Sequence, residues 1–281
     1  MVFDSSRGSD AASDFKYFRD FLEEVSGISL ADNKQYLVTT RIRRIMQDNN
    51  LTSVRSMVDM MRSRSNHSLR DAIVDAMTTN ETFWFRDSYP FQYLTNTLLP
   101  ELSRTTTGSL RIWSAACSSG QEPYSLSMAL DEYERLKSMG VRKNVEIVAT
   151  DLSPSMLERC KQGRYDRLEI VRGLSPERLK QYFKEVDGGE WQLIDTIRRR
   201  VQFRSLNLME SYGSLGKFHI IFCRNVLIYF TPDLKRDILQ RLHGALQPGG
   251  ILFLGASEGL AGTTGLFEMV QCKPGIAYRA I

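Results

Sequence analysis

From Leu110 onward the chain alternates short apolar runs with amphipathic stretches, and this alternation constrains its fold more than any other feature. Leu110 to Ala116 reads as a strand and Glu122 to Lys137 as a helix, with Pro123 in a first turn that can spare its N–H. Val145 to Asp151 reads as a second strand, after which Ser153-Pro154 opens another helix. Val201 to Leu208 is a third strand, and Phe218 to Cys223, apolar almost throughout, a buried fourth. Thr231-Pro232-Asp233 caps a helix running to Leu246, Pro248-Gly249-Gly250 stops it, and Ile251 to Gly255 forms a fifth strand. Phe267 to Cys272 and Ile276 to Ile281, joined by Lys273-Pro274-Gly275, read as a closing hairpin. Strands separated by helices call for a parallel sheet covered on both faces. The expected fold over 108–281 is therefore α/β and Rossmann-like. It is interrupted at about 178–203 by a small antiparallel β insertion turning at Asp187-Gly188-Gly189.

The N-terminal part follows a different period. Phe15, Phe18, Phe21, Leu22 and Val25 recur at three- and four-residue steps, the spacing of one helix face, and Gly27 offers a stop. Three further stripes follow: Leu37, Ile42, Ile45 and Met46; Val54, Met57, Val58 and Met61; and Leu69, Ile73, Val74 and Met77. Residues 15–79 thus predict an all-α bundle, and residues 1–14, small and polar, a disordered start without the apolar core of a signal peptide. Residues 80–107 bridge the two parts, beginning with a dense aromatic block and ending Thr-rich and linker-like. No run approaches the roughly 18 apolar residues that span a bilayer, so a cytoplasmic protein is expected. Four scattered cysteines, with no C-x-x-C pair, read as reduced residues in apolar surroundings and exclude a zinc site or disulfide frame; no metal is expected. A net charge of +4 is too mild to argue by itself for nucleic acid.

Ligands of such sheets sit beyond the C-terminal strand ends. The first strand ends in Ala115-Ala116-Cys117-Ser118-Ser119-Gly120, small residues that admit a ligand close to the backbone or simply pack the turn tightly. The second ends at Asp151, a carboxylate placed either to accept two ribose hydroxyls or to cap the next helix. Glu122 lies in the first turn of the following helix, where the dipole favours acids in any case. Neither G-x-G-x-x-G nor a P-loop lysine pattern is present, which argues against a pyrophosphate ligand and a dehydrogenase. A ligand with ribose, a zwitterionic amino-acid tail and a cationic sulfonium suits the acids better, and S-adenosylmethionine is that ligand. The fourth strand runs into Cys223-Arg224-Asn225 and then Tyr229-Phe230, while Asn80, Thr82 and Arg86 punctuate the aromatic block. An arginine among aromatic rings is a fixed cation for a carboxylate, or a structural ion-pair partner.

The segments NETFWFR, RIWSAACSSGQEPYSLSM, VATDLSPSMLERCKQGRY, FRSLNL, FHIIFCRNVLIYF and GGILFLGASE, in that order, resemble the CheR family of bacterial methyltransferases that esterify glutamates of chemotaxis receptors. The resemblance covers Asn80 to about Glu258, and the helical bundle matches the family's architecture. It implies that Asn80, Thr82, Arg86, Glu122, Asp151, Asn207, Leu208, Cys223 and Arg224 contact or surround S-adenosylmethionine, later S-adenosylhomocysteine. It further implies that Arg86 and Tyr229 orient the reacting groups. In some members the β insertion grips a peptide tether of the receptor; the turn here is shorter than in those members. The acidic receptor helices also suggest a docking surface at Arg41, Arg43 and Arg44, with Arg55, Arg62 and Arg64 further along, on a monomer. A nucleic-acid methyltransferase is the nearest rival, but Arg224-Asn225-Val226-Leu227 stands where an Asn/Asp-Pro-Pro-aromatic turn would be needed. A cofactor-binding protein without turnover is the other alternative.

Overall fold

A computed structural model describes residues 8–63, 67–136, 144–260, 262–263 and 265–281. Four helices, α1 (Gly8–Ser26), α2 (Gln35–Asp48), α3 (Val54–Arg62) and α4 (His67–Met77), form the N-terminal bundle. Phe18, Leu22, Val38, Ile42, Val58 and Ile73 close its core. Helix α1 begins seven residues earlier than its apolar stripe, so Gly8 to Asp14 is helical rather than disordered. Asp14, in the second turn of α1, is tied to Arg55 of α3 at 3.3 Å, a tertiary contact invisible to local composition. Residues 1–7 and Arg64 lie outside the described residues.

The bridge is more structured than its Thr-rich end suggests. Helices α5 (Tyr89–Tyr93) and α6 (Leu99–Thr105) are joined by one wider helical turn, Leu94–Leu98. Leu94, Leu98 and Leu99 are buried in the main core, and that burial overrides the poor helix propensity of the threonines.

Beyond it lie α7 (Gln121–Leu136), α8 (Pro154–Gln162), three short helices α9 (Arg167–Val171), α10 (Pro176–Tyr182) and α11 (Asp195–Arg198), and α12 (Pro232–Ala245). The strands are β1 (Leu110–Ala115), β2 (Val145–Asp151), β3 (Arg164–Tyr165), β4 (Phe183–Val186), β5 (Glu190–Leu193), β6 (Val201–Ser205), β7 (Phe218–Cys223), β8 (Leu246–Leu254), β9 (Phe267–Cys272) and β10 (Gly275–Ala280). Seven of them make one sheet in the order β6-β2-β1-β7-β8-β10-β9. The first five of that order run parallel, and the hairpin β9-β10 closes the edge antiparallel. Alternate residues divide between its faces: Ile112, Ile147, Ile220 and Phe222 join one core, Trp113, Val148, Ile221 and Leu252 the other. This period-2 split with both faces apolar is why the strands read as continuous hydrophobic runs.

Three boundaries in this part differ from the sequence reading, and the simplest is β6, which ends at Ser205 and not at Leu208. Pro248-Gly249-Gly250 does not precede the fifth strand; the pairing jumps from Phe218↔Leu246 to Ile220↔Ile251, so Gln247 to Gly250 bulge out within β8. The β insertion starts before 178, because Arg164-Tyr165 pairs with β5 to give a three-stranded sheet β3-β5-β4. Trp84 of the bridge anchors this subdomain edge-on against Tyr165 at 4.8 Å and Phe183 at 5.3 Å. All four cysteines are free and buried, and burial pushes the thiols of Cys117 and Cys223 well up.

Candidate active site

The C-terminal ends of β1, β2, β6 and β7 open onto a cavity of about 370 Å³, a size suited to a small-molecule ligand. Its floor is the turn after β1. Ala116 and Ser118 hold left-handed φ of 58° and 51°, and Gly120 holds 95°, a conformation glycine alone adopts without strain. Asp151 fixes this turn: its Oδ2 accepts the Ser118 amide at 2.7 Å and its Oδ1 the Ser153 amide at 2.9 Å. Helix α8 is capped by Ser153, whose hydroxyl accepts the Met156 amide at 3.1 Å, so Asp151 is not the cap of that helix. Burial pushes the Asp151 carboxyl above the ordinary carboxylate value, opposed by the amides of Ser153, Ser118 and Leu152. The ionised form is the stronger acceptor for a hydroxyl of a bound ligand. Affinity for S-adenosylhomocysteine is therefore expected to fall on acidification while the pH is still above the ordinary value of 3.8, with Asp151→Asn binding more weakly by about 1.5–3 kcal/mol at neutral pH. Calorimetry across pH checks both.

A buried ion knot forms the opposite side. The Arg224 side chain is 1% exposed; its Nη1 donates to Glu122 at 2.9 Å, and its Nη2 donates to Asp87 at 2.5 Å and to the Arg86 carbonyl at 3.0 Å. The other Glu122 oxygen accepts the Ser114 hydroxyl at 2.8 Å. The knot grips a strained segment, since Phe85, Asp87 and Ser88 all hold positive φ. Such residues cost about 1–3 kcal/mol each and persist where surrounding contacts over-determine them. Arg86 is thereby held at the cavity with its guanidinium 5.1 Å from the Phe83 ring centre, donating to the Glu81 carbonyl at 3.3 Å.

Asn80, Thr82, Arg86, Glu122, Asp151, Asn207, Leu208, Arg224 and Tyr229 all line this one cavity. Cys223 does not; it is fully buried in the core behind β7, because strand alternation turns it away from the opening. Asn207 lines the cavity while its amide is engaged elsewhere, donating to the Val25 carbonyl at 2.9 Å and accepting the Met209 amide at 3.0 Å. Asp87 was not singled out by the sequence. Nor was the wall that the bundle provides: Ile28 to Ala31, Leu37 and Met77 line the same cavity. The bundle is pinned there by the Ser29 amide on the Tyr229 carbonyl at 2.8 Å and by Ser155 on Asp75 at 2.9 Å. Arg41 is not a free docking cation, since it donates to the carbonyls of Met77 and Thr78 at 2.9 Å each and caps the end of α4. Arg43 is exposed, and Arg44, 91% exposed, faces Asp48 at 3.7 Å.

A doubly covered parallel sheet, with a carboxylate at the end of its second strand facing a cavity over the C-terminal strand ends, is the architecture of an S-adenosylmethionine-dependent methyltransferase. Residues 13–78 match the description "CheR methyltransferase, all-alpha domain" and residues 80–276 "CheR methyltransferase, SAM binding domain". The chain is 56% identical to Chemotaxis protein methyltransferase 1 of Pseudomonas aeruginosa, over 97% of this chain and 99% of that one. It is 55% identical to Chemotaxis protein methyltransferase Cher2 of Pseudomonas putida, over 95% and 98%, and 51% identical to the chemotaxis protein methyltransferase of Vibrio anguillarum, over 95% and 96%. The chain belongs to the CheR methyltransferase family, and S-adenosylmethionine is its cofactor. No helix among the described residues is long and apolar enough to cross a membrane.

Proposed function

We propose that this protein methylates glutamate side chains on the cytoplasmic helical region of chemoreceptors, giving methyl esters and S-adenosylhomocysteine, and that it works in the cytoplasm as a monomer. One observation carries the choice of acceptor: among the described residues that line the cavity there is no histidine to act as a general base. The three carboxylates among the described lining residues are each engaged. Glu122 is paired with Arg224, Asp151 with backbone amides, and Glu81 with Arg172, whose hydrogen bond holds Glu81 below its ordinary value. An amine acceptor must lose a proton; a glutamate is already ionised at neutral pH.

Bound S-adenosylmethionine supplies an electrophilic methyl group on a sulfonium. The residues of the chain hold and align. Asp151 and Glu122 present acceptors to the ribose and amino-acid parts, and Asn80, Thr82, Asn207 and Leu208 shape the cavity around them. Arg86 and Tyr229 orient the incoming carboxylate; alignment of this kind can be worth roughly 7–11 kcal/mol. A tighter cationic clamp would be counterproductive, because charge is consumed as the carboxylate attacks and the ground state would gain most. Incubation with labelled S-adenosylmethionine and membranes containing chemoreceptors tests the reading. Base-labile label on the receptor supports the ester, and label on RNA or DNA would replace it with a nucleic-acid reading.

Docking of the acidic receptor helices falls to the exposed Arg43 and Arg44, now that Arg41 is occupied. Replacing both by glutamate should raise the receptor KM about tenfold at low ionic strength and less at high salt, as for exposed ion pairs. Calorimetry on S-adenosylhomocysteine should detect no change in the same variant.

A further inference from the structure

The segment that presents Tyr229 makes an unusual entry into the site. After β7, Asn225 takes a left-handed φ of 60°, and a single 3-10 turn, Leu227 to Tyr229, follows. An asparagine tolerates that conformation better than most residues, yet it needs neighbours to hold it there. The neighbour is Glu258. One of its carboxylate oxygens accepts the Asn225 amide and the Gly255 amide, both at 2.7 Å, and the other accepts the Ile228 amide at 3.2 Å. Gly255 to Glu258 is itself a tight turn, closed by the Glu258 amide on the Gly255 carbonyl at 2.9 Å, and it folds the carboxylate back over the end of β8.

We propose that Glu258 is the positioning residue for methyl transfer, fixing the Arg224–Tyr229 segment so that Tyr229 meets the acceptor carboxylate in the reactive alignment. Glu258 does not line the cavity; it acts through the backbone on either side of the turn. Tyr229 is then held at both ends, by Glu258 through the preceding amide of Ile228 and by the Ser29 amide on its own carbonyl. The geometry also explains Gly255. A Cβ there would lie 2.7 Å from the Glu258 carboxylate, 2.7 Å from the Asn225 side-chain nitrogen and 2.9 Å from the Asn225 amide. Gly255→Ala therefore pushes on the same contact from the opposite side. Glu258→Gln keeps the shape but turns one acceptor into a donor facing an N–H.

The proposal rests on the receptor-methylation reading for the role of Tyr229, and the measurements separate the two. In both variants the affinity for S-adenosylhomocysteine should stay close to that of the unaltered protein, because Asp151 and Glu122 are untouched. Turnover at saturating cofactor and receptor should fall about 100-fold, the scale of an ångström-sized misplacement near the chemistry. Amide hydrogen exchange at Asn225 and Ile228 should speed up while the β7 amides keep their protection, and this readout needs no acceptor. Failure of the unaltered protein to label any receptor removes the functional reading and leaves the exchange result to decide the latch. Unchanged exchange, unchanged turnover, turnover that falls only in step with cofactor affinity, or loss of the folded state in both variants overturns the assignment.

Discussion

Arg86→Ala should lower receptor methylation about 100-fold or more while the protein remains folded and binds S-adenosylhomocysteine almost normally. The expectation follows from how little the fold asks of this side chain and how much holds it in place. Its guanidinium is partly exposed, lies beside Phe83 and makes one long bond, to the Glu81 carbonyl at 3.3 Å. Its backbone, by contrast, is locked by Arg224 between two left-handed residues. A side chain that supports little of the fold, on a backbone fixed at a strain cost, is placed for function. The loss should appear in turnover, since a group that orients the acceptor only in the reactive complex contributes little to ground-state binding. Arg86→Lys should recover only part of it, because an ammonium cannot reproduce the planar two-point grip on a carboxylate. Single-turnover transfer from labelled cofactor to a receptor fragment reads the rate, and a melting curve reads the fold. Near-normal methylation by Arg86→Ala would remove Arg86 from the mechanism.

The strands could be read from the sequence because they are buried on both faces. Val145–Asp151 and Phe218–Cys223 end where their apolar runs end, and Asp151 stands at its strand end as an isolated carboxylate among apolar residues. The contacts that turn these elements into a site leave no local trace. Arg224 meets Asp87 across 137 positions, and Ser29 meets Tyr229 across 200, so no window of sequence contains both partners. The apolar stripe of α2 likewise did not say that Leu37 would face the cavity and Val38 the bundle core. Arg41 shows the opposite limit. Its charge suggested a surface role, but the uncapped carbonyls at the end of α4 lie within its reach, and capping them occupies the cation. Cys223, contiguous with Arg224 in the motif, is the last residue of β7 and shares the buried face of Ile221, whereas Arg224 lies beyond the strand end.

Arg224→Met should be the most destabilising single change at the site, and the way its effect can be repaired separates folding from catalysis. The guanidinium is almost fully buried between Glu122, 13% exposed, and Asp87, 33% exposed. Removing it leaves two carboxylates facing a low-dielectric pocket without their partner, a loss of about 3–5 kcal/mol for a broken buried pair. Asp87 is open enough to recover some hydration, so the lower end of that range is expected. The main penalty is the stranded negative charge, not a lost attraction. Neutralising it in the triple variant Arg224→Met, Glu122→Gln, Asp87→Asn should therefore raise the melting temperature again, towards that of the unaltered protein. The side-chain amide at position 122 of that variant can still accept the Ser114 hydroxyl through its carbonyl oxygen. Methyl transfer should not return with stability. The Arg86 carbonyl still lacks its donor, the strained segment from Phe85 to Ser88 has lost its clamp, and the cavity has lost the Glu122 carboxylate. Calorimetric melting and single-turnover methylation of the same two variants decide the matter. If activity recovered together with stability, the knot would serve the fold alone; a triple variant no more stable than Arg224→Met would mean that the orphaned charges are not what destabilises it.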